Sequence, residues 1–284
     1  MEDLTKNDDS MKKFIVPVDF SEVSKNAARY AAQMSADFPD SEILLYNVYE
    51  KFAHADDGSP LTNEGEATKI IAESSLNNLR FELMPLTKSL IGILAETGNL
   101  AENLEKLVLH NGADLVIMGI SGTSKVEQAL IGSNTLGVVR KDSFPVLIVP
   151  PGAKYERIHS VVFASDFKDV EHTTPIPSLR KVLSMFRPDL FVVHVEEDQE
   201  VLDANDFRKE KEAMDKLLFG FNPEYSFIDS GNFTRGISNF VHNMKANLII
   251  TVPHRHAFMK DLFKSTHTEK LVYHTHVPVL ALHQ

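Results

Sequence analysis

The sequence predicts an α/β protein made of two tandem, open, doubly wound parallel sheets of five strands each, related by a pseudo-twofold axis. Three observations predict it. Short β-branched apolar runs alternate with helical patterns. The runs are apolar on both faces, as strands covered by helices on both sides must be. The whole alternation occurs twice.

The duplication is read from constant offsets. KKFIVPVDF (Lys12 to Phe20) returns as HSVVFASDF (His159 to Phe167), and ILLYNV (Ile43 to Val48) returns as LFVVHV (Leu190 to Val195), both 147 residues on. Farther along, ADLVIM (Ala113 to Met118) returns as ANLIIT (Ala246 to Thr251), FPVLIVP (Phe144 to Pro150) as VPVLALH (Val277 to His283), and TGN (Thr97 to Asn99) as SGN (Ser230 to Asn232), all 133 residues on. The drop places 14 extra residues in the first half between Val48 and Gly98, and the polar stretch Lys51 to Glu66 is read as that insertion. Pro150, Pro151 and Gly152 form a turn-rich linker. The domains are therefore expected at 11–150 and 156–284.

In the first half the predicted strands are Lys13–Val18, Ile43–Val48, Leu90–Ala95, Asp114–Gly119 and Val146–Val149. Ala27, Ala28, Ala31, Ala32 and Met34 share one helical face, as do Leu100, Leu104, Leu107 and Val108. Asn99 with Glu102 resembles a capping box and starts a helix just after Gly98. Each half ends in a short apolar run, Val146–Val149 and Val279–Leu282, entered through Pro145 or Pro278 as suits a strand at a sheet edge. An uncovered apolar edge invites pairing with another chain. The two terminal strands are therefore expected to pair with each other, making an intramolecular pseudo-dimer, with further homodimerisation left open.

A chain of 284 residues with 43% hydrophobic and 24% charged side chains has a globular composition and the length of two domains. The formal charge of −11 repels a phosphate backbone and argues against nucleic acid as a partner. The imbalance sits in the first half: residues 1–150 carry −9 and 151–284 carry −2, while ten of the twelve histidines lie in the second. Without cysteine there is no disulfide, thiolate metal site or catalytic thiol, as suits a reducing compartment. The acidic start MEDLTKNDDS has no signal-peptide character, and no apolar run approaches the ~20 residues of a membrane span. A cytoplasmic protein with a short disordered tail before Met11 is expected, with no membrane partner.

Ligands of open α/β sheets bind outside the carboxyl ends of the strands, near the switch in strand order. Asp19 follows the first strand there, Val48 closes the second and Met118-Gly119 the fourth. Next come Gly119-Ile120-Ser121-Gly122, nine further residues, Gly132-Ser133, and a helical pattern through Leu136, Val139 and Arg140. Glycines let backbone approach phosphate oxygens, a helix start supplies N–H donors, and Ser133 and Thr135 add hydroxyls. The arrangement reads as a phosphate cradle. Lys125 is a further cation near it; an exposed loop lysine is ordinarily solvated.

This G-x2-G-x9-G-S spacing after a fourth strand, with V-D-F after the first and a valine closing the second, resembles the ATP-binding branch of the universal stress protein family. The resemblance covers nearly the whole chain, twice over. It implies a Rossmann-like, adenine nucleotide alpha hydrolase-like fold and ATP as ligand, with Mg2+ as a companion left open. It also implies that Asp19 and the backbone of Val48 hold the adenosine end, while Gly119, Gly122, Gly132 and Ser133 hold ribose and phosphates. Asn134 and Thr135 extend the cradle on geometric grounds. The bland alternative has the glycines turning the chain, Ser133 capping a helix and Asp19 making a turn before Ser21.

The second half departs at each phosphate position, where Val252, Arg255, Ser265 and Thr266 replace Gly119, Gly122, Gly132 and Ser133. Asp166 and Val195 remain. The second domain is therefore expected to be degenerate, although Arg255, His254, His256 and His267 could attract another anion. His254 with His256 and His274 with His276 are weighed as metal pairs and read as surface histidines. No Walker, dinucleotide, nucleophile-elbow or zinc-protease motif occurs. The expectation is a regulatory, stress-response ATP-binding protein without catalytic residues. A slow ATP hydrolase or phosphotransferase in the same pocket, and a scaffold with no nucleotide, are the alternatives.

Overall fold

The computed structural model describes residues 11–49, 64–120, 137–139, 143–196, 204–252 and 275–283. In the first half, β1 (Lys12–Pro17), β2 (Ser41–Tyr49), β3 (Leu90–Thr97), β4 (Leu115–Gly119) and β5 (Val146–Val149) are joined through α1 (Glu22–Ser35), α2 (Glu64–Leu83) and α3 (Leu100–Asn111). The strands lie parallel in the order β3-β2-β1-β4-β5. α1 begins where Ser21, extended, accepts a hydrogen bond from the Ser24 amide at 3.2 Å. Its small face, Ala27, Ala28, Ala31 and Ala32, is fully buried, which lets the helix sit close to the sheet. Asn99 caps α3 by accepting from the Ala101 and Glu102 amides, and Gly112 ends it in the left-handed conformation at φ 61°.

The second half repeats the plan with β6 (Ser160–Ala164), β7 (Asp189–Glu196), β8 (Glu224–Asp229), β9 (Leu248–Thr251) and β10 (Val279–Ala281). Its helices are α4 (Val170–Thr173), α5 (Ile176–Phe186), α6 (Ala204–Leu217) and α7 (Phe233–Met244). The two five-stranded sheets merge into one ten-stranded sheet, β3-β2-β1-β4-β5-β10-β9-β6-β7-β8. The junction is antiparallel: Val279 lies opposite Ile148, Leu280 opposite Leu147 and Ala281 opposite Val146. Leu147 and Leu280 are each other's counterparts at the offset of 133, so the pseudo-twofold axis passes through this pair.

One apolar layer lies on each face and crosses the junction. The first runs from Val16, α1 and Leu76 through Leu147 and Leu280 to Leu179 and Met214. The second runs from Leu104 and Val116 through Val146 and Ala281 to Phe233 and Ile237. Polar contacts tie the linker and the second half to the first as well. Asn26 donates to the carbonyls of Pro150 and Ala153 at 3.3 Å each, and the Tyr155 hydroxyl donates to Asp37 at 2.7 Å. Lys181 reaches the buried Asp114 at 2.8 Å. Burial and the Asp37 carboxylate push the Tyr155 phenol upward, so it stays a donor across the working pH range.

Three features were not legible beforehand. α2 is a 20-residue helix starting inside the stretch read as an insertion, the rest of which lies outside the described residues. The first helix of the second half is broken into α4 and α5, since Pro175 disfavours helical geometry at Thr174. The register also equates Glu96 with Ile228, because these pair with Val48 and Val195; that is an offset of 132 rather than 133. The second half thus gains one residue between its third strand and the Ser230-Gly231-Asn232 turn.

Candidate functional site

Strand order reverses between β1, whose chain continues into α1 and β2, and β4 on its other side. That switch opens a crevice at the carboxyl ends of β1, β2 and β4. Asp19, Val48 and Gly119 all stand there. Gly122, Gly132, Ser133, Asn134 and Thr135 lie outside the described residues, as do Lys125, Arg255, Ser265, Thr266 and all the weighed histidines except His276.

Asp19 is exposed just past β1, and Phe20 beside it takes the left-handed conformation at φ 64°. One carboxylate oxygen accepts from the Ser21 hydroxyl at 2.6 Å and the Ser21 amide at 3.0 Å. Partial burial would raise its pKa, but hydrogen bonds from Ser21 and Ser24 outweigh it and hold the carboxyl below its ordinary range. The group is therefore ionised, with its orientation fixed by the first turn of α1. The turn reading of Asp19 describes its local geometry, in which Oδ1 accepts both Ser21 bonds.

Val48 is half-buried at the end of β2. Its position is set by Asn47, whose buried amide donates to the Val18 carbonyl at 2.7 Å and locks the end of β2 to the end of β1. In the second half His194 replaces Asn47, and its Nδ1 lies 3.1 Å from the Ser165 carbonyl, the counterpart of Val18. Two different side chains thus make the same lock. The sequence offered no periodic signal for it.

Gly119 has a direct packing reason. A Cβ there would lie 2.5 Å from the Val23 carbonyl oxygen and 2.7 Å from its Cγ1, so the first turn of α1 can approach β4 only over a glycine. The same closeness brings the α1 start, with its outward amides and Asp19, against the end of β4. In the second half the counterpart Val252 is buried in the core, together with Val170 of the short α4. A branched side chain at this point coincides with the broken first helix.

A second concavity, of about 590 Å3, lies beyond β2 toward the edge strand β3, between Tyr49, Ala95, Thr97, Lys69, Lys106 and His110. No group of three or more metal-ligating side chains occurs among the described residues. Among them, too, no helix is long and apolar enough to cross a membrane.

Comparison with known proteins agrees with this geometry. Residues 11–150 match the model described as the universal stress protein family. Universal stress protein MJ0577 of Methanocaldococcus jannaschii is 26% identical over 153 residues, covering 49% of this chain and 94% of that protein. Universal stress protein MJ0531 of the same organism is 28% identical over 141 residues, covering 49% of this chain and 81% of its own. The crystal structure of a universal stress protein from Archaeoglobus fulgidus DSM 4304 superposes with a TM-score of 0.67 at 19% identity, covering 96% of each chain. At that identity the likeness is one of fold, and it extends over both halves.

Proposed function

Residues 11–150 belong to the universal stress protein family, and from that premise we propose that the chain is a regulatory adenine-nucleotide-binding protein whose first half binds ATP. Asp19 and the Val48 backbone would hold the adenosine end. Gly119, Gly122, Gly132 and Ser133, extended by Asn134 and Thr135, would hold ribose and phosphates, with Mg2+ as a companion of the phosphates. The observation that carries the reading is the convergence of Asp19, Val48 and Gly119 at the switch point, next to an α1 start that a glycine lets close on β4. We further propose that residues 156–284 form a degenerate domain of the same type that serves as intramolecular partner, and that the protein works in the cytoplasm.

Mass analysis of small molecules released by denaturing the native protein tests this. ATP or another adenine nucleotide is expected. A protein that carries none and takes up none when ATP is added would contradict the proposal and favour a scaffold. Steady phosphate release above that of Gly122→Arg would favour the hydrolase reading.

A further inference from the structure

The two halves treat one position differently. On β3, Ala95 lies beside Asn47; on β8, Phe227 lies beside His194, the counterpart of Asn47. Phe227 thus stands where the first half has alanine. A second exchange accompanies it. Counting back seven residues from the buried Leu79 of α2 gives Ala72, and counting back seven from the buried Met214 at the corresponding turn of α6 gives Phe207. Phe207 and Phe227 meet edge to face at 4.4 Å, and Phe227 also packs on Phe167 at 5.6 Å and His194 at 6.0 Å. Aromatic rings fill this end of the second half, while two buried alanines leave room in the first.

A concavity of about 590 Å3 lies beside Ala95, the counterpart of Phe227. Its wall is cationic, in a half whose net charge is −9. Lys106 and His110 stand one turn apart on α3, and Lys69 faces them from α2. Lys69 shares its charge with Glu73 at 3.7 Å, whereas Lys106 has no ion-pair partner among the described residues. The one acidic group of the wall, Glu96, accepts a hydrogen bond from the Tyr46 hydroxyl at 3.0 Å, which fixes its orientation. The hydroxyls of Tyr49 and Thr97 add neutral donors.

We propose that this concavity is a binding site for a small phosphate-bearing anion, separate from the nucleotide crevice and present once per chain. It is bounded by β2, β3, α2 and α3 and meets the nucleotide crevice only at the end of β2, where Tyr49 follows Val48, so its cationic residues Lys69, Lys106 and His110 lie apart from Asp19 and Gly119. Lys106 and Lys69 supply charge-assisted contacts, His110 a third donor, and Ala95 the space.

Backbone amide NMR of the full chain, titrated with inorganic phosphate at constant ionic strength set by chloride, tests the site. Saturable shifts at Tyr49, Thr97 and Lys106 are expected. Lys106→Glu should weaken apparent phosphate affinity at these amides by about tenfold or more, as loss and reversal of one charged contact implies. Ala95→Phe, which copies the second half's residue, should abolish the shifts while the Asp19 and Gly119 amides keep their positions. Shifts that follow ionic strength alone, or that persist in both variants, would overturn the proposal. Lys106→Glu alters an exposed side chain, so its result stands even if Ala95→Phe fails to fold.

Discussion

Two residues at the crevice, Gly119 and Asp19, have structural roles that separate in experiment. Gly119→Ala places a methyl group 2.5 Å from the Val23 carbonyl oxygen, so α1 must retreat. A loss of about 1–3 kcal/mol is expected from such overpacking, read as a lower urea midpoint with an unchanged slope. Gly112→Ala separates the two kinds of cost: unlike Gly119 it sits at positive φ, and no atom lies within 4 Å of the added carbon, so its cost is conformational alone. Asp19 offers a pH test. Its folded-state pKa is below the ordinary value, so it adds stability that is present above the unfolded-state pKa and lost as pH falls through the folded-state one. Asp19→Asn should therefore be less stable than the parent near neutrality, and the gap between their thermal midpoints should narrow on acidification below the ordinary carboxylate range. A gap that widened on acidification would contradict the assigned sign. The effect is small because the group is exposed.

Among the elements, the ends of the strands and the junction carry the architecture. Asn47→Ala leaves the Val18 carbonyl without its 2.7 Å donor in a buried setting and should cost about 1–3 kcal/mol. Asn47→His should recover part of that loss, because His194 makes the corresponding bond in the second half. Chemical denaturation of the three proteins checks both. At the junction, β5 is buried throughout and paired with β10, so a fragment of residues 1–151 exposes an apolar edge and should self-associate. Light scattering that found a strictly monomeric fragment at high concentration would contradict the strand pairing as the interface. Much of this was legible in the sequence: the five strands of the first half differ from expectation only at their ends, and pairing of the terminal strands follows from Pro145 and Pro278 entering apolar runs. What was hidden has a physical reason in each case. α2 has a weak apolar stripe, with Ile70, Ile71 and Phe81 exposed among its polar residues, so its periodicity is blurred. The break at Pro175 needed recognition that Thr174 precedes a proline inside a helical pattern. Of the site, Asp19, Val48 and Gly119 were placed at one sheet end by pattern alone. The exchange of Ala72 and Ala95 for Phe207 and Phe227 was invisible, because two residues distant in sequence acquire meaning only from the register of β3 and β8.

At the scale of the whole molecule, duplication has produced a closed pair whose halves have diverged at their sheet ends. The pseudo-twofold axis through Leu147 and Leu280 buries the edge that a single copy would expose, and covalent linkage holds the two copies together at high effective concentration. Val252 in the core, the broken α4–α5 helix and the aromatic cluster around Phe167 mark that divergence in the second half. The proposed function makes the two halves asymmetric: one fold twice, one nucleotide once. Isothermal titration of ATP into the nucleotide-free full chain tests it most directly. One site per chain, abolished by Gly122→Arg, is the result the account predicts; two equivalent sites, or one site that survives Gly122→Arg, would contradict it.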